Sequence, residues 1–278
     1  MIKRLTAITR WVMLVAVCIC ISGCVLDPGE NKLGNETNQA NPTTESVRSE
    51  IVLNQRQIAI LQKQGLPIIY EQLTAKQKSA IEAIEDLLVH LENKYQSQFE
   101  YEGYVAASLL DREHLLATTT IHGEVKTIKA FRTYENGAWV YEDDYMHFVA
   151  EPAYRKTIIS FFDTKIDPNG YKIFSNVQWI EGEYSETDVL KNVAAVSVLY
   201  VSKETCTDVE QVQKLMQDFA SWAKEQGLQT ACTIEICVVE AKDLDNVYSY
   251  NYVENISKDW VIVHKICTID KFGGVNIV

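Results

Sequence analysis

The chain has 278 residues, a formal net charge of −12, and 47% hydrophobic residues. Twenty-six Lys and Arg against 38 Asp and Glu exclude binding to nucleic acid or anionic lipid through a basic surface, since both need clustered cations. The apolar fraction, with fourteen tyrosines, excludes a disordered stalk and suffices for one large core or two modest ones.

Lys3, Arg4 and Arg10 precede an apolar run that begins at Trp11 and ends in Ile21-Ser22-Gly23-Cys24. A positive start, an apolar middle and small residues before a cysteine outline a secretory signal. A bilayer core asks for about 20 apolar residues, and this run is broken by Ser22 and Gly23 before Asp27, Pro28 and Gly29. Ile21-Ser22-Gly23-Cys24 resembles the lipobox of bacterial lipoproteins. The resemblance implies that the Cys24 thiol carries a diacylglyceryl group and that the second signal peptidase removes residues 1–23. The mature protein would then be held by its N-terminal lipid on the outer face of the cell membrane. Loss of Lys3, Arg4 and Arg10 would take its charge to −15. The resemblance covers 24 residues and says nothing of the rest.

Residues 25–50 hold Asn31, Asn35, Asn38, Asn41 and Pro42 with little to bury, so 24–50 reads as the lipidated cysteine and a flexible linker. A short helical pattern through Ile51, Ile58 and Leu61 stops at Gly65 and Pro67. Thr74 and Gln77 have capping-box spacing. Beyond them Ile81, Ile84, Leu88, Leu91 and Tyr95 recur at intervals of three and four, which predicts an amphipathic helix over 75–96. Strand signals follow. Gly103 marks a bulge, 115–121 and 125–134 are strands, and Asn136-Gly137 turns the chain into a returning strand with Trp139 and Tyr141. A second helix is expected to start at Pro152, with Tyr154, Ile158, Phe161 and Phe162 on one side.

Asp167, Asn169 and Gly170 look like part of a calcium loop. Lys165, Pro168 and Asn176 spoil the ligand pattern, so a plain turn is expected. An aromatic strand over 171–180 comes next, then a short turn of helix capped by Ser185 or Asp188. Residues 193–201 are almost continuously apolar, as in a strand covered on both faces. Thr207 or Asp208 caps a helix through Val212, Met216, Phe219 and Trp222 that ends at Gly227. Strands are expected at 231–239, 247–253 and 260–269. The expected fold class is therefore α+β, with antiparallel meander sheets each covered by an amphipathic helix. The halves 51–165 and 166–278 share a helix-then-hairpin order that raises a duplication, although no residue-level repeat accompanies it.

Four cysteines follow the linker. Cys206, Cys232, Cys237 and Cys267 are either two disulfides, as an exported domain permits, or four buried thiols. Cys232 and Cys237 differ by an odd number within one strand and so face opposite ways, leaving each to pair with Cys206 or Cys267. The candidate metal ligands are Glu142, Asp144 and His147, where acids crowd a strand end. Cys237 and His264, with Glu235 or Asp259, form a candidate thiolate–imidazole pair. His90 reads as a surface histidine. Tyr248, Tyr250 and Tyr252 are the candidate binding face, since three rings on one side of a strand offer contact area at low entropic cost. There is no G-x-S-x-G, H-E-x-x-H, P-loop or dinucleotide glycine motif, and no cofactor is expected. The expected role is non-enzymatic, a binding or assembly component of the cell surface whose partner is an envelope protein or surface ligand. The alternative is a divergent envelope hydrolase or metal-binding enzyme.

Overall fold

A computed structural model describes residues 51–278, which form one compact unit. Cys24, the lipobox and the linker lie outside the described residues. Helix α1 (Gln55–Lys63) and helix α2 (Ala75–Tyr95) each begin at a complete capping box, Asn54 with Gln57 and Thr74 with Gln77. In each, the cap side chain takes one orphan N–H while the glutamine returns to the cap's own N–H. The apolar stripe of α2 (Ile81, Ile84, Leu88 and Leu91, with Leu87) is buried against a four-stranded antiparallel sheet. That sheet runs in sequence order through β1 (Glu100–Val105), β2 (His114–Ile121), β3 (Glu124–Glu135) and β4 (Ala138–Asp143). The β1–β2 register slips at Gly103, the expected bulge. Asn136 and Gly137 both take positive φ, 51° and 86°, the I′ pair whose twist suits a two-residue hairpin.

Helix α3 (Tyr145–Phe162) follows β4 directly, so Pro152 sits inside it and not at its first turn, a correction to the expected start. Proline removes the N–H that the Phe148 carbonyl would accept, and in the same turn His122 Nε2 donates to the Val149 carbonyl at 3.2 Å. Helix α3 is shared between cores: Tyr145, Phe148 and Val149 join the α2 side, whereas Tyr154, Ile158, Phe161 and Phe162 are buried against the second sheet.

That second sheet has five strands in sequence order, β5 (Tyr171–Ile180), β6 (Val193–Ser202), β7 (Cys232–Val239), β8 (Val261–Ile269) and β9 (Val275–Ile277). A short helix, α4 (Val189–Asn192), precedes β6. Helix α5 (Val209–Glu225), capped by Asp208 accepting from the Gln211 N–H at 2.9 Å, connects β6 to β7 as a parallel pair. The fold is α+β, and all strand pairs but this one are antiparallel. The two halves differ in topology at that point, because the first sheet has no crossover. Strand β6 is covered on both faces, by α3 and α5 on one side and on the other by a smaller cluster under α6 (Ala241–Leu244) and α7 (Tyr252–Asn255). The stretch 167–170 is a plain turn closed by Asp167 accepting from the Asn169 N–H.

One expectation fails here, and one open alternative closes. Residues 247–253 are not a strand: Asn251 Oδ1 accepts from the Tyr248 N–H at 2.7 Å and Asn251 Nδ2 donates to the Asn246 carbonyl at 3.0 Å, bonds that wrap the segment into a turn leading to α7. Of the two readings of the cysteines, the structure has the buried thiols and not the disulfides: Cys206, Cys232, Cys237 and Cys267 are free and buried. Cys232 and Cys237 do face opposite ways, Cys232 into the core shared with Cys206 and Cys267, and Cys237 alone into the other. Burial pushes the Cys232 and Cys237 thiols up to about 12, so both stay protonated and inert.

Candidate functional site

Helix α3 carries Asp144, His147, Glu151 and Arg155 at its start and along its length, spaced by three or four residues and therefore on one ridge. This ridge forms one wall of a cleft of about 740 Å³. The tip of the β2–β3 hairpin supplies His122, Glu124 and Lys126, β5 supplies Phe174, Ser175 and Asn176, and the turn before α7 supplies Ser249. The site is thus assembled from both sheets, with α3 as the piece they share. A second cleft of about 470 Å³ lies on the other side of Asp144 and His147, between the end of β4 and the Trp179 end of β5.

Two of the three candidate metal ligands are engaged elsewhere. Glu142 is exposed and pairs with Arg112 at 2.9 Å. Asp144 accepts from the Lys129 N–H at 2.8 Å, and burial, opposed by that bond, pushes its carboxyl up to about 6. His147 is half-buried, and loss of solvent lowers its affinity for a proton. All three line the smaller cleft, yet no group of three or more His, Cys, Asp or Glu among the described residues could hold a metal ion. The expected ligand set is corrected to a shared wall without a coordination centre. The neighbouring Asp143 turns inward as strand alternation requires, bonded to Lys94 at 2.8 Å and to the Tyr95 hydroxyl at 2.6 Å.

Glu151 is held above the ordinary carboxylate range by burial, in spite of Arg155 at 3.1 Å. The cleft therefore holds two carboxyls that give up protons reluctantly, beside a histidine that takes one reluctantly. That combination of titratable groups in a concave site marks functional candidates more often than structural ones.

The three tyrosines separate. Tyr248 and Tyr250 are exposed and stack in parallel with centroids 5.4 Å apart, with the Lys172 ammonium 5.3 Å from the Tyr248 ring. They flank Ser249, which lines the larger cleft, but neither ring belongs to its lining. Tyr252 turns inward, lines the cleft, stacks on Phe174 at 4.9 Å and accepts a hydrogen bond from the Tyr200 hydroxyl at its carbonyl.

Cys237 and His264 are opposite each other in the β7–β8 register, and His264 donates to Glu235 at 3.0 Å. With the thiol fully buried and protonated, this arrangement lacks a nucleophile. His90 stacks on Tyr141 at 4.1 Å and is part of the sheet cover.

Sequence reasoning missed Glu151, Arg155, Trp179 and Tyr184. The first two carried a signal, since 144, 147, 151 and 155 have helical spacing, but it was masked when Pro152 was read as a helix start. Tyr184 lines the smaller cleft with a hydroxyl that is buried and has no hydrogen-bond partner. Such a group costs about 1–3 kcal/mol. Tyr184→Phe is therefore expected to raise the unfolding free energy by about 1 kcal/mol in urea denaturation; a loss of stability would show that the hydroxyl has a partner after all.

No family model matches the chain, and no curated protein does either. Among solved structures, a DUF5037 family protein from Ruminococcus gnavus is similar over 68% of this chain and 91% of its own, at 11% identity and a TM-score of 0.34. A likeness at that level carries no argument. No helix among the described residues is long and apolar enough to cross a membrane.

Proposed function

We propose that this chain is a lipid-anchored binding or assembly protein on the extracytoplasmic face of a bacterial cell membrane, tethered through acyl chains on Cys24. Its ligand would be captured in the cleft along α3, and it acts without catalysis. The observation that carries the reading is the cleft itself: about 740 Å³, walled by both sheets and lined by Tyr252, with the stacked, exposed Tyr248–Tyr250 pair on the turn that supplies its Ser249. A cavity of that size suits a small ligand or a peptide end, and rigid rings beside carboxyls suit polar molecules with an apolar face, such as wall sugars and short peptides.

The test is thermal unfolding of residues 47–278, which include every described core, against wall fragments, small sugars, peptides and divalent cations. A ligand at one hundred times its Kd adds about 2.7 kcal/mol, or roughly 5–10 °C for a domain of this size. Tyr250→Ala is expected to abolish most of that shift while leaving the unliganded midpoint in place. A ligand whose shift survives both Tyr250→Ala and Glu151→Gln would remove the cleft from the reading. The second reading is an envelope hydrolase. It is favoured by the Asp144 carboxyl, poised near neutrality beside His147 in the cleft wall, and it requires turnover of a wall fragment that Asp144→Asn stops.

A further inference from the structure

The loop 106–113 between β1 and β2 is built to push two leucines into water. Leu109 and Leu110 are 105% and 98% exposed, and the turn beneath them is closed on itself. The Ser108 N–H donates to the Asp111 carbonyl at 2.9 Å, while Ser108 Oγ accepts from the N–H groups of Leu110 and Asp111 at 3.2 and 3.0 Å. Beside it Tyr134 and Trp139 meet edge-on at 5.2 Å, one residue either side of the Asn136-Gly137 hairpin's flanks, and both are exposed. The leucines, Arg112, Tyr134 and Trp139 share one concavity of about 590 Å³. Fully exposed leucines sharing a concavity with exposed amphipathic rings are the pairing of an interfacial membrane contact.

We propose that this end of the first sheet is a second membrane contact, in which Leu109 and Leu110 enter the headgroup–acyl boundary and Trp139 and Tyr134 lie at headgroup level. The choice of a bilayer as occupant rests on the lipid anchor proposed at Cys24. From Cys24 to Ile51 is 27 residues, a chain that reaches at most about 95 Å. The domain is thereby confined to the neighbourhood of the bilayer, and a tip too weak to bind from free solution is occupied because its binding has become intramolecular. The guanidiniums nearby are already committed, Arg112 to Glu142 and Arg132 to Asp86 and Glu113, and the exposed Asp111 beside Leu110 is negative, so the contact rests on the leucines and rings and draws nothing from anionic lipid.

The test uses the chain from Cys24 onward, coupled through that thiol to a maleimide lipid in phosphatidylcholine vesicles. The four described cysteines are buried, which keeps the coupling selective. With bromine on the acyl chains, the tryptophan signal that Trp139→Phe removes should be quenched about twofold, with little change between low and high salt. The double variant Leu109→Asp/Leu110→Asp should lose the quenching at an unchanged melting temperature. Unquenched Trp139 in the wild type, or quenching that survives the double variant, overturns the contact. So does a concentration-dependent dimer in vesicle-free solution that the same variant breaks, since a second copy would then cover the patch. The anchor is supplied chemically in this experiment, so its failure would leave Cys24 lipidation intact; that is read separately, from loss of membrane retention in cells carrying Cys24→Ser.

Discussion

Replacing Arg132 with alanine is expected to cost about 3 kcal/mol of stability, the largest single effect of any polar substitution in the first sheet. Its side chain is 10% exposed and reaches three ways: Nη1 to Asp86 at 3.0 Å, Nε to Glu113 at 2.9 Å, and its flat face over Trp139 at 4.2 Å. Both acids also take phenols, Asp86 from Tyr141 at 2.7 Å and Glu113 from Tyr104. The network clamps α2 onto β3 and β4 and ties them to β1 and the loop ahead of β2. Truncating the cation leaves the Glu113 carboxylate, 15% exposed, with a phenol but no charge partner, and that penalty exceeds what the intact pair contributes. For a domain of this size the midpoint should fall by about 6–12 °C in a thermal scan. Arg132→Lys should recover only part of it, because an ammonium cannot hold two acids and a ring with one planar fork. In the double variant Arg132→Ala/Asp86→Ala the losses should be less than additive; full additivity, or a single-variant cost under about 1 kcal/mol, would show that the cluster is a solvated surface arrangement.

What the sequence made legible was whatever is decided within one turn or one strand. Thr74 with Gln77, Asp208 ahead of its helix, Asn136-Gly137 and Gly103 all act through bonds or dihedrals a few residues long, and each is where its residue type required. Parity was equally reliable, since Cys232 and Cys237 do face opposite cores. The tyrosines failed for a local reason that was present but outweighed. Tyr248, Tyr250 and Tyr252 alternate like a strand, yet the Asn251 side chain accepts from the Tyr248 N–H and donates to the Asn246 carbonyl, bonds that only a turn can make. The parallel β6–β7 pair was also written in the chain, as an apolar strand, a capped helix and another apolar strand, which is the pattern of a crossover and not of a meander. The cleft was not legible at all. Asp144 and Glu151 face Ser175, Asn176 and Ser249, residues 24 to 105 positions away, and no local rule brings them together.

Asp144→Asn is expected to stabilise the protein at neutral pH, by about 2 kcal/mol, and to do nothing at pH 4. The carboxyl stands at about 6 in the folded chain against an ordinary 3.8. A folded-state value above the unfolded one means that the folded chain holds more protons between the two. Stability therefore falls as pH rises from about 4 to 6, and the full cost of the charged form stands above that window. Asparagine keeps an oxygen for the Lys129 N–H and removes the charge, so the cost disappears. Neighbouring groups pull both ways. Glu151, also raised, adds to the same trend, while His147, lowered by burial, makes the fold lose stability on acidification through its ordinary value near 6.5. The wild-type profile is a sum of these, and the informative quantity is the difference between wild type and Asp144→Asn in urea denaturation at pH 4.5 and 7.5. A difference that stays constant between those two values would show that Asp144 titrates like a surface acid. A difference that opens on the alkaline side means that the chain keeps a carboxylate in the cleft wall at the expense of its own stability, which is the expected mark of a group retained for what it binds.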